Sequence, residues 1–217
     1  MNFFARSLGI PAETKAAAVA LAKGEVAVVD IARVNGHLFV HTLCLGLHPK
    51  MVEERERAAY HSRYGKMLGS VRAFFHVLRI PQRFFVSIET DGKTVVRRTA
   101  GVVVSNNPLG KGHVPYADGL DKGVLGLYVT TARGLVQLIR VTAAAALGTA
   151  WESPLVEYLE TTTADINLGG QRSIRVTLDG ELVRLRAPLK VEIVAGGLRV
   201  LRPKTEPPGR SAKSSAS

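Results

Sequence analysis

Three stretches of alternating apolar and polar residues, each folded about a two-residue turn, organise this chain. The alternation from Glu25 to Leu45 is centred on Asn35-Gly36, that from Val86 to Val95 on Asp91-Gly92, and that from Ile174 to Leu185 on Asp179-Gly180. A period of two predicts strands with one buried face, and Asn-Gly or Asp-Gly between them predicts tight hairpins, because both central positions accept positive φ. Further strands are predicted over residues 84–89, 94–98, 101–106, 124–130, 156–163, 173–185 and 190–200. The spacing turns helical over residues 2–10, where Asn2 is placed to cap the first turn, and again over 12–23, 51–60, 66–78 and 133–147. Pro11 and Pro81 close two of these segments. The connections between strands are mostly of hairpin length, so the pattern predicts a mainly β fold with inserted helices (α+β), an antiparallel β-sandwich rather than a parallel sheet. His37 and His41, four apart on the return arm of the first hairpin, are expected on one strand face, too far apart for a compact metal site.

Composition narrows the picture. With 217 residues and 46% apolar content the chain can bury a substantial core. Its single cysteine, Cys44, lies in the apolar run Leu43-Cys44-Leu45 and is expected to be a buried thiol, which fits a reducing compartment. No run approaches the length of a membrane span, and residues 1–6 lack the form of a signal peptide, so a cytoplasmic location is expected. The net charge of +11 points to anionic partners: nucleic acid, lipid headgroups or phosphorylated ligands. Three of those charges fall in the Pro/Ser-rich end, where Arg202, Lys204, Arg210 and Lys213 face only Glu206, and this basic tail is expected to be disordered. Nucleic-acid binding would need exposed aromatics in a basic groove, and most aromatics here sit in apolar runs, so no specific nucleic acid is expected.

Motif chemistry is sparse. No Gly-x-x-x-x-Gly-Lys-Ser/Thr loop, no Gly-x-Gly-x-x-Gly after a strand and no His/Cys cluster occurs. The loop from Ser105 to Val124 is long for a compact domain. Asn106, Asn107 and Lys111 in it are candidates to meet a phosphate or headgroup, and Asp118 and Asp121 to meet a hard cation. On spacing alone Asp179 is a turn residue and Glu181 a solvated strand residue, no different from the Asp91-Gly92 turn.

The order of the pieces adds more. Asn2-Phe3-Phe4-Ala5-Arg6-Ser7-Leu8-Gly9-Ile10-Pro11 is followed by Val29-Asp30-Ile31, Val34-Asn35-Gly36, Gly46, Asn106-Asn107-Pro108, Leu120-Asp121-Lys122-Gly123-Val124-Leu125-Gly126 and Asp179-Gly180-Glu181. Together these resemble the diacylglycerol kinase catalytic family, which includes bacterial lipid kinases and sphingosine kinases. The resemblance implies the β-sandwich lobe of a two-lobed fold, with residues 1–24 as the terminal helices of a nucleotide lobe, 25–203 as the lipid-side lobe and 204–217 as the tail. It implies ATP and Mg²⁺ as cofactors, phosphorylation of a lipid hydroxyl, Asp179 as the base that takes the hydroxyl proton, and Glu181 in support. Asn2 would lie at the edge of the nucleotide lobe. The Gly-Gly-Asp-Gly-Thr loop that holds ATP in the family is absent from this sequence. The chain is therefore expected to be inactive alone, either as a fragment or through a start codon placed too late.

One departure bears on the metal. The family's Asp-Asp-Gly turn reads Asp121-Lys122-Gly123 here, so a side-chain Mg²⁺ site is not expected, and Asp121 with the carbonyls of Gly119 and Val124 are the remaining candidate ligands. The implied partner is a lipid substrate at an anionic membrane surface, with peripheral attachment at the inner face and room for a homodimer. Lys66, Arg72 and Arg79 with Phe74, Phe75 and Leu78 form a candidate basic, apolar contact face. The alternative is a non-catalytic lipid- or partner-binding module that keeps the sandwich without the chemistry.

Overall fold

The computed structural model describes residues 2–57 and 83–204. Two six-stranded antiparallel sheets pack face to face. Two short helices come first, α1 (Phe3–Ser7) and α2 (Thr14–Ala22), then β1 (Glu25–Val34), β2 (His37–Phe39), β3 (Thr42–Gly46) and helix α3 (Leu47–Arg57). Next come β4 (Phe84–Thr90), β5 (Lys93–Thr99), β6 (Gly101–Asn106), β7 (Leu125–Thr130) and helix α4 (Leu135–Ala146). The strands β8 (Val156–Thr161), β9 (Thr163–Asn167), β10 (Ser173–Leu178), β11 (Glu181–Arg186) and β12 (Leu189–Arg202) complete the fold. The first sheet runs β2-β1-β12-β9-β4-β5 and the second β11-β10-β3-β6-β7-β8.

All three predicted turns form, and for the stated reason. Asn35, Asp91 and Asp179 take φ of 46°, 46° and 51°, and the glycines after them 86°, 75° and 95°. The sandwich is therefore the one the alternation predicts, with Val34, Phe39, Leu43, Leu45, Val86, Ile88, Val102, Leu125, Ile166, Val176 and Leu189 filling the space between the sheets.

Two predicted strands are broken where the chain changes sheets. The return arm of the first hairpin stops at Phe39, bends at Val40 and His41, and resumes as β3 in the opposite sheet between β10 and β6. His37 and His41 consequently do not share a strand face: His37 is exposed on β2 and His41 sits in the bend. The stretch over 156–163 divides in the same way, β8 forming an edge of the second sheet and β9 lying inside the first between β12 and β4. Thr162 is the crossing point, where its carbonyl accepts from the Ile193 amide at 3.0 Å and Thr161 Oγ1 donates to the Thr163 carbonyl at 2.7 Å. The alternation lapses for only three residues at each corner, Leu38-Phe39-Val40 and Thr161-Thr162-Thr163, too short a break to separate two strands by pattern alone. Helix α3 begins at Leu47, four residues before the predicted start, because Pro49 falls in its first turn where no amide partner is lost.

The predicted helix over 66–78, its basic, apolar face (Lys66, Arg72, Phe74, Phe75, Leu78, Arg79) and most of the basic tail fall outside the described residues. Among the described residues no helix is long and apolar enough to cross a membrane.

Candidate active site

The corner between β2 and β3 is built around Asp179. Its Oδ1 accepts hydrogen bonds from the amides of His41 (2.8 Å) and Thr42 (3.0 Å), and its Oδ2 from the amide of Val40 (2.9 Å). The Asp179 amide in turn donates to the Thr42 carbonyl at 2.9 Å. A single carboxylate thus satisfies three amides that the bend removes from the sheet ladder. Both acceptor directions of Oδ1 are used, and one direction of Oδ2 is left. Asp91, in the matching turn of the β4–β5 hairpin, accepts from the Thr161 hydroxyl at 3.1 Å. The two Asp-Gly turns are alike in backbone and different in what their carboxylates hold.

Glu181 opens β11 two residues further on, is exposed, and has no hydrogen-bond or ion-pair partner among the described residues. Asp179, Gly180 and Glu181 form the rim of a cavity of about 650 Å³. Its floor is the outer face of the second sheet, with Cys44, Val103, Tyr128 and Thr130, and its far wall is α4, with Leu138, Val141, Thr142 and Ala145. Phe3 of α1, Leu47 and Met51 of α3, and Trp151 complete the lining. The walls are predominantly apolar, and the volume is in the range of small-molecule sites. Space arises because both facing surfaces carry small side chains: Gly101 beneath, Thr142 and Ala145 above.

Titratable groups near the rim respond to burial. His41, whose ring lies 5.1 Å from that of Phe3, has its pKa lowered, first by burial and against an opposing attraction to Asp179. Burial pushes the Cys44 thiol up to about 11, outweighing hydrogen bonds with Thr177 and Thr42, so it is an inert part of the floor. His48 Nδ1 sits 2.9 Å from the Thr177 hydroxyl on the same floor.

The other predicted site residues are elsewhere. Asn2 caps α1, its Oδ1 accepting from the Ala5 amide at 3.1 Å. Asp121 is exposed, and a Cβ placed on Gly119 would lie 3.5 Å both from Asp121 Oδ1 and from Lys122 Cε. The turn supplies one carboxylate next to a lysine, a donor set poor in the charged oxygens that a divalent cation takes. Asn106 and Asn107 are fully buried: Asn106 Nδ2 donates to the carbonyls of Asp30 (2.9 Å) and Val40 (3.2 Å), Asn107 Oδ1 accepts from the Lys122 amide at 2.9 Å, and Asn106 Oδ1 and Asn107 Nδ2 have no hydrogen-bond partner among the described residues. Lys111 pairs with Glu152 at 3.4 Å, and Asp118 Oδ1 lies 2.7 Å from His113 Nε2.

Asp30 carries more than the sequence indicated. It is 2% exposed at a β-bulge in β1, and its carboxylate accepts from Gly123 (2.7 Å) and Gly196 (2.8 Å). It clamps the 107–124 loop onto β12, and its carbonyl anchors Asn106, which also reaches the corner at Val40. A lone acid inside the apolar run Val28-Val29-Asp30-Ile31 was the available signal. The cavity had no comparable signal, since its walls come from elements far apart in sequence.

A family model described as the YegS C-terminal NAD kinase beta sandwich-like domain matches residues 56–202. Among solved structures the chain resembles "a putative diacylglycerol kinase from Bacillus anthracis str. Sterne", with TM-score 0.66 and 22% identity over 92% of this chain. A second structure from the same organism, described as a diacylglycerol kinase, superposes with TM-score 0.61 and 20% identity over 91% of this chain. The chain spans 64% and 62% of the length of those two proteins, less than two thirds. At these identities the likeness is one of fold.

Proposed function

Since the chain belongs to the YegS C-terminal NAD kinase beta sandwich-like domain family, we propose that it serves as the lipid-side lobe of a kinase that phosphorylates a lipid hydroxyl. The observation that carries this reading is a carboxylate at the rim of an apolar cavity. A hydrocarbon chain in the cavity would bury apolar surface against Leu138, Val141, Val103 and Trp151 and bring its polar end to the Asp179 turn. The remaining acceptor direction of Asp179 Oδ2 then takes the hydroxyl proton as the oxygen attacks phosphorus. The three amides hold the carboxylate in place, Val40 through Oδ2 and His41 and Thr42 through Oδ1, and Glu181, free on the rim, adds negative charge beside it.

The chain's residues do not fit the other half of the chemistry. The sequence contains no Gly-Gly-Asp-Gly-Thr loop, Asn2 spends its side chain on the α1 cap, and the Asp121-Lys122-Gly123 turn carries a single carboxylate. ATP and Mg²⁺ would be held by a nucleotide lobe outside this chain.

The test supplies that lobe from a relative and measures phosphorylation of diacylglycerol and sphingosine with Asp179→Asn. A general base contributes about 10²–10⁴ in rate, so turnover should fall at least a hundredfold. Near wild-type turnover would overturn the assignment. A second reading, a lipid-binding module without chemistry, draws on the same cavity and on the structural use of Asp179. It is favoured if the complemented protein binds lipid in the cavity yet transfers no phosphoryl group.

A further inference from the structure

Helix α4 has two opposite faces, and only the inner one is accounted for. Leu138, Val141, Thr142 and Ala145 face the cavity, and Leu138 is buried against Ala100 and Ala132. Val136, Arg140, Ala143 and Leu147, spaced four, three and four apart, line the outer face. Val136 is 62% exposed, Leu147 at the helix end 69%, and Leu135 beside them 38%. Three large exposed apolar side chains thus fall on α4 and its C-cap, Leu135, Val136 and Leu147.

Charge identifies the contact. No Asp or Glu occurs from Val129 to Trp151, while Arg133 and Arg140 are exposed beside the stripe and pair with no carboxylate among the described residues. An apolar stripe with cationic flanks and no acid, on a helix too short to span a bilayer, has the chemistry of an anionic lipid interface. The nearest acid in sequence, Glu152 on the turn packed against α4, is paired with Lys111 at 3.4 Å. The helix is also the wall of the cavity, so a bilayer on its outer face would lie one helix diameter from the apolar interior.

Resting on the lipid reading of the cavity, we propose that the outer face of α4 docks the protein on an anionic membrane and presents the cavity to lipids in that leaflet. Val136 and Leu147 enter the acyl boundary, and Arg133 and Arg140 meet headgroup phosphates.

The test uses the full chain and co-sedimentation with vesicles of phosphatidylcholine containing a minority of phosphatidylglycerol. Neutralising Arg133 or Arg140 to Gln should weaken binding about fivefold each. The pair Val136→Asp and Leu147→Asp should weaken it on the order of a hundredfold. Both positions are exposed, and unchanged thermal unfolding confirms that the fold is kept. In parallel, a fluorescent short-chain diacylglycerol below its aggregation limit reports on the cavity. Loss of vesicle binding with retained monomer binding supports the docking face. Undiminished vesicle binding by the double variant overturns it, as does an oligomer that dissociates on Val136→Asp without vesicles. Vesicle binding that depends on α4, with no monomer binding even by the unaltered chain, leaves the docking face standing and overturns the lipid reading of the cavity.

Discussion

Replacing Asp179 by alanine should destabilise the fold more than any other exposed side-chain deletion near the rim. The substitution removes the acceptor for the amides of Val40, His41 and Thr42, all within 3.0 Å of the carboxylate. A hydrogen bond to a charged group is worth about 1.5–3 kcal/mol, and at an exposed corner water replaces part of each, so the low end applies. The three bonds share one anchor and do not add, which brings the expected loss to about 2–4 kcal/mol. Alanine at the positive φ of 51° costs about 1 kcal/mol more. Asparagine tolerates that backbone and keeps one oxygen for His41 and Thr42, but turns its NH₂ toward the Val40 amide, so Asp179→Asn should cost only about 1–2 kcal/mol. Glu181→Ala, on an exposed side chain without a partner, should stay within about 0.5 kcal/mol of the parent. Urea denaturation followed by circular dichroism measures all three, and each kcal/mol should appear as a drop of about 2–4 °C in Tm for a chain of this size. An Asp179→Ala variant within about 0.5 kcal/mol of the parent, or an asparagine variant as damaged as the alanine, would refute the claim that the carboxylate holds the corner.

Two further predictions concern charge and shape. His113 has its pKa raised, first by the Val114 carbonyl 2.8 Å from Nδ1 and then by Asp118 at Nε2, so both ring nitrogens face acceptors and the doubly protonated ring is favoured. Its contribution is complete below the unfolded value near 6.5 and is lost as pH rises through the folded pKa; His41, lowered by burial, contributes above 6.5 and loses that as pH falls through its folded value. Stability against pH should therefore converge on the parent at the alkaline end for both variants, His113→Gln falling below the parent toward acid and His41→Gln rising above it, and the reverse pattern would contradict both assignments. Gly148→Ala should be the most damaging glycine substitution, since its φ is +72° and a Cβ would lie 1.8 Å from the His113 carbonyl oxygen; a Tm equal to the parent's would show that this backbone crossing is not maintained in solution.

The sandwich was legible because its signals are local. Asn35-Gly36, Asp91-Gly92 and Asp179-Gly180 fix hairpins from two residues each, and the alternation around them places Phe39, Ile88 and Val176 in the core. What stayed hidden is what depends on crossing between sheets. The alternation lapses only briefly at the corners, in Leu38-Phe39-Val40 and in Thr161-Thr162-Thr163, so β2 and β3 read as one strand, and β8 and β9 as another. The cavity was hidden for the same reason: Cys44, Val103, Leu138 and Asp179 meet only once both sheets and α4 are in place. Asn106 and Asn107 have a structural use that the composition of the loop does not signal, since they supply hydrogen bonds that bury the loop itself.

Asp179 thus has two sufficient causes for being an acid, and they separate in measurement. Asp30 shows the first use: a buried carboxylate accepts from the Gly123 and Gly196 amides and fixes a loop. If Asp179 were only such a clamp, Asp179→Asn in the complemented kinase would lower turnover in step with the fraction unfolded. A loss of about 1–2 kcal/mol from a total of about 5–15 leaves nearly all molecules folded at 25 °C, so turnover would barely change. If the remaining lone pair of Oδ2 accepts the hydroxyl proton, the same variant loses at least a hundredfold in turnover while remaining folded, and its lipid binding is unchanged. The clamp predicts that stability and turnover move together across Ala, Asn and Glu181→Ala. The base predicts that asparagine falls off that line.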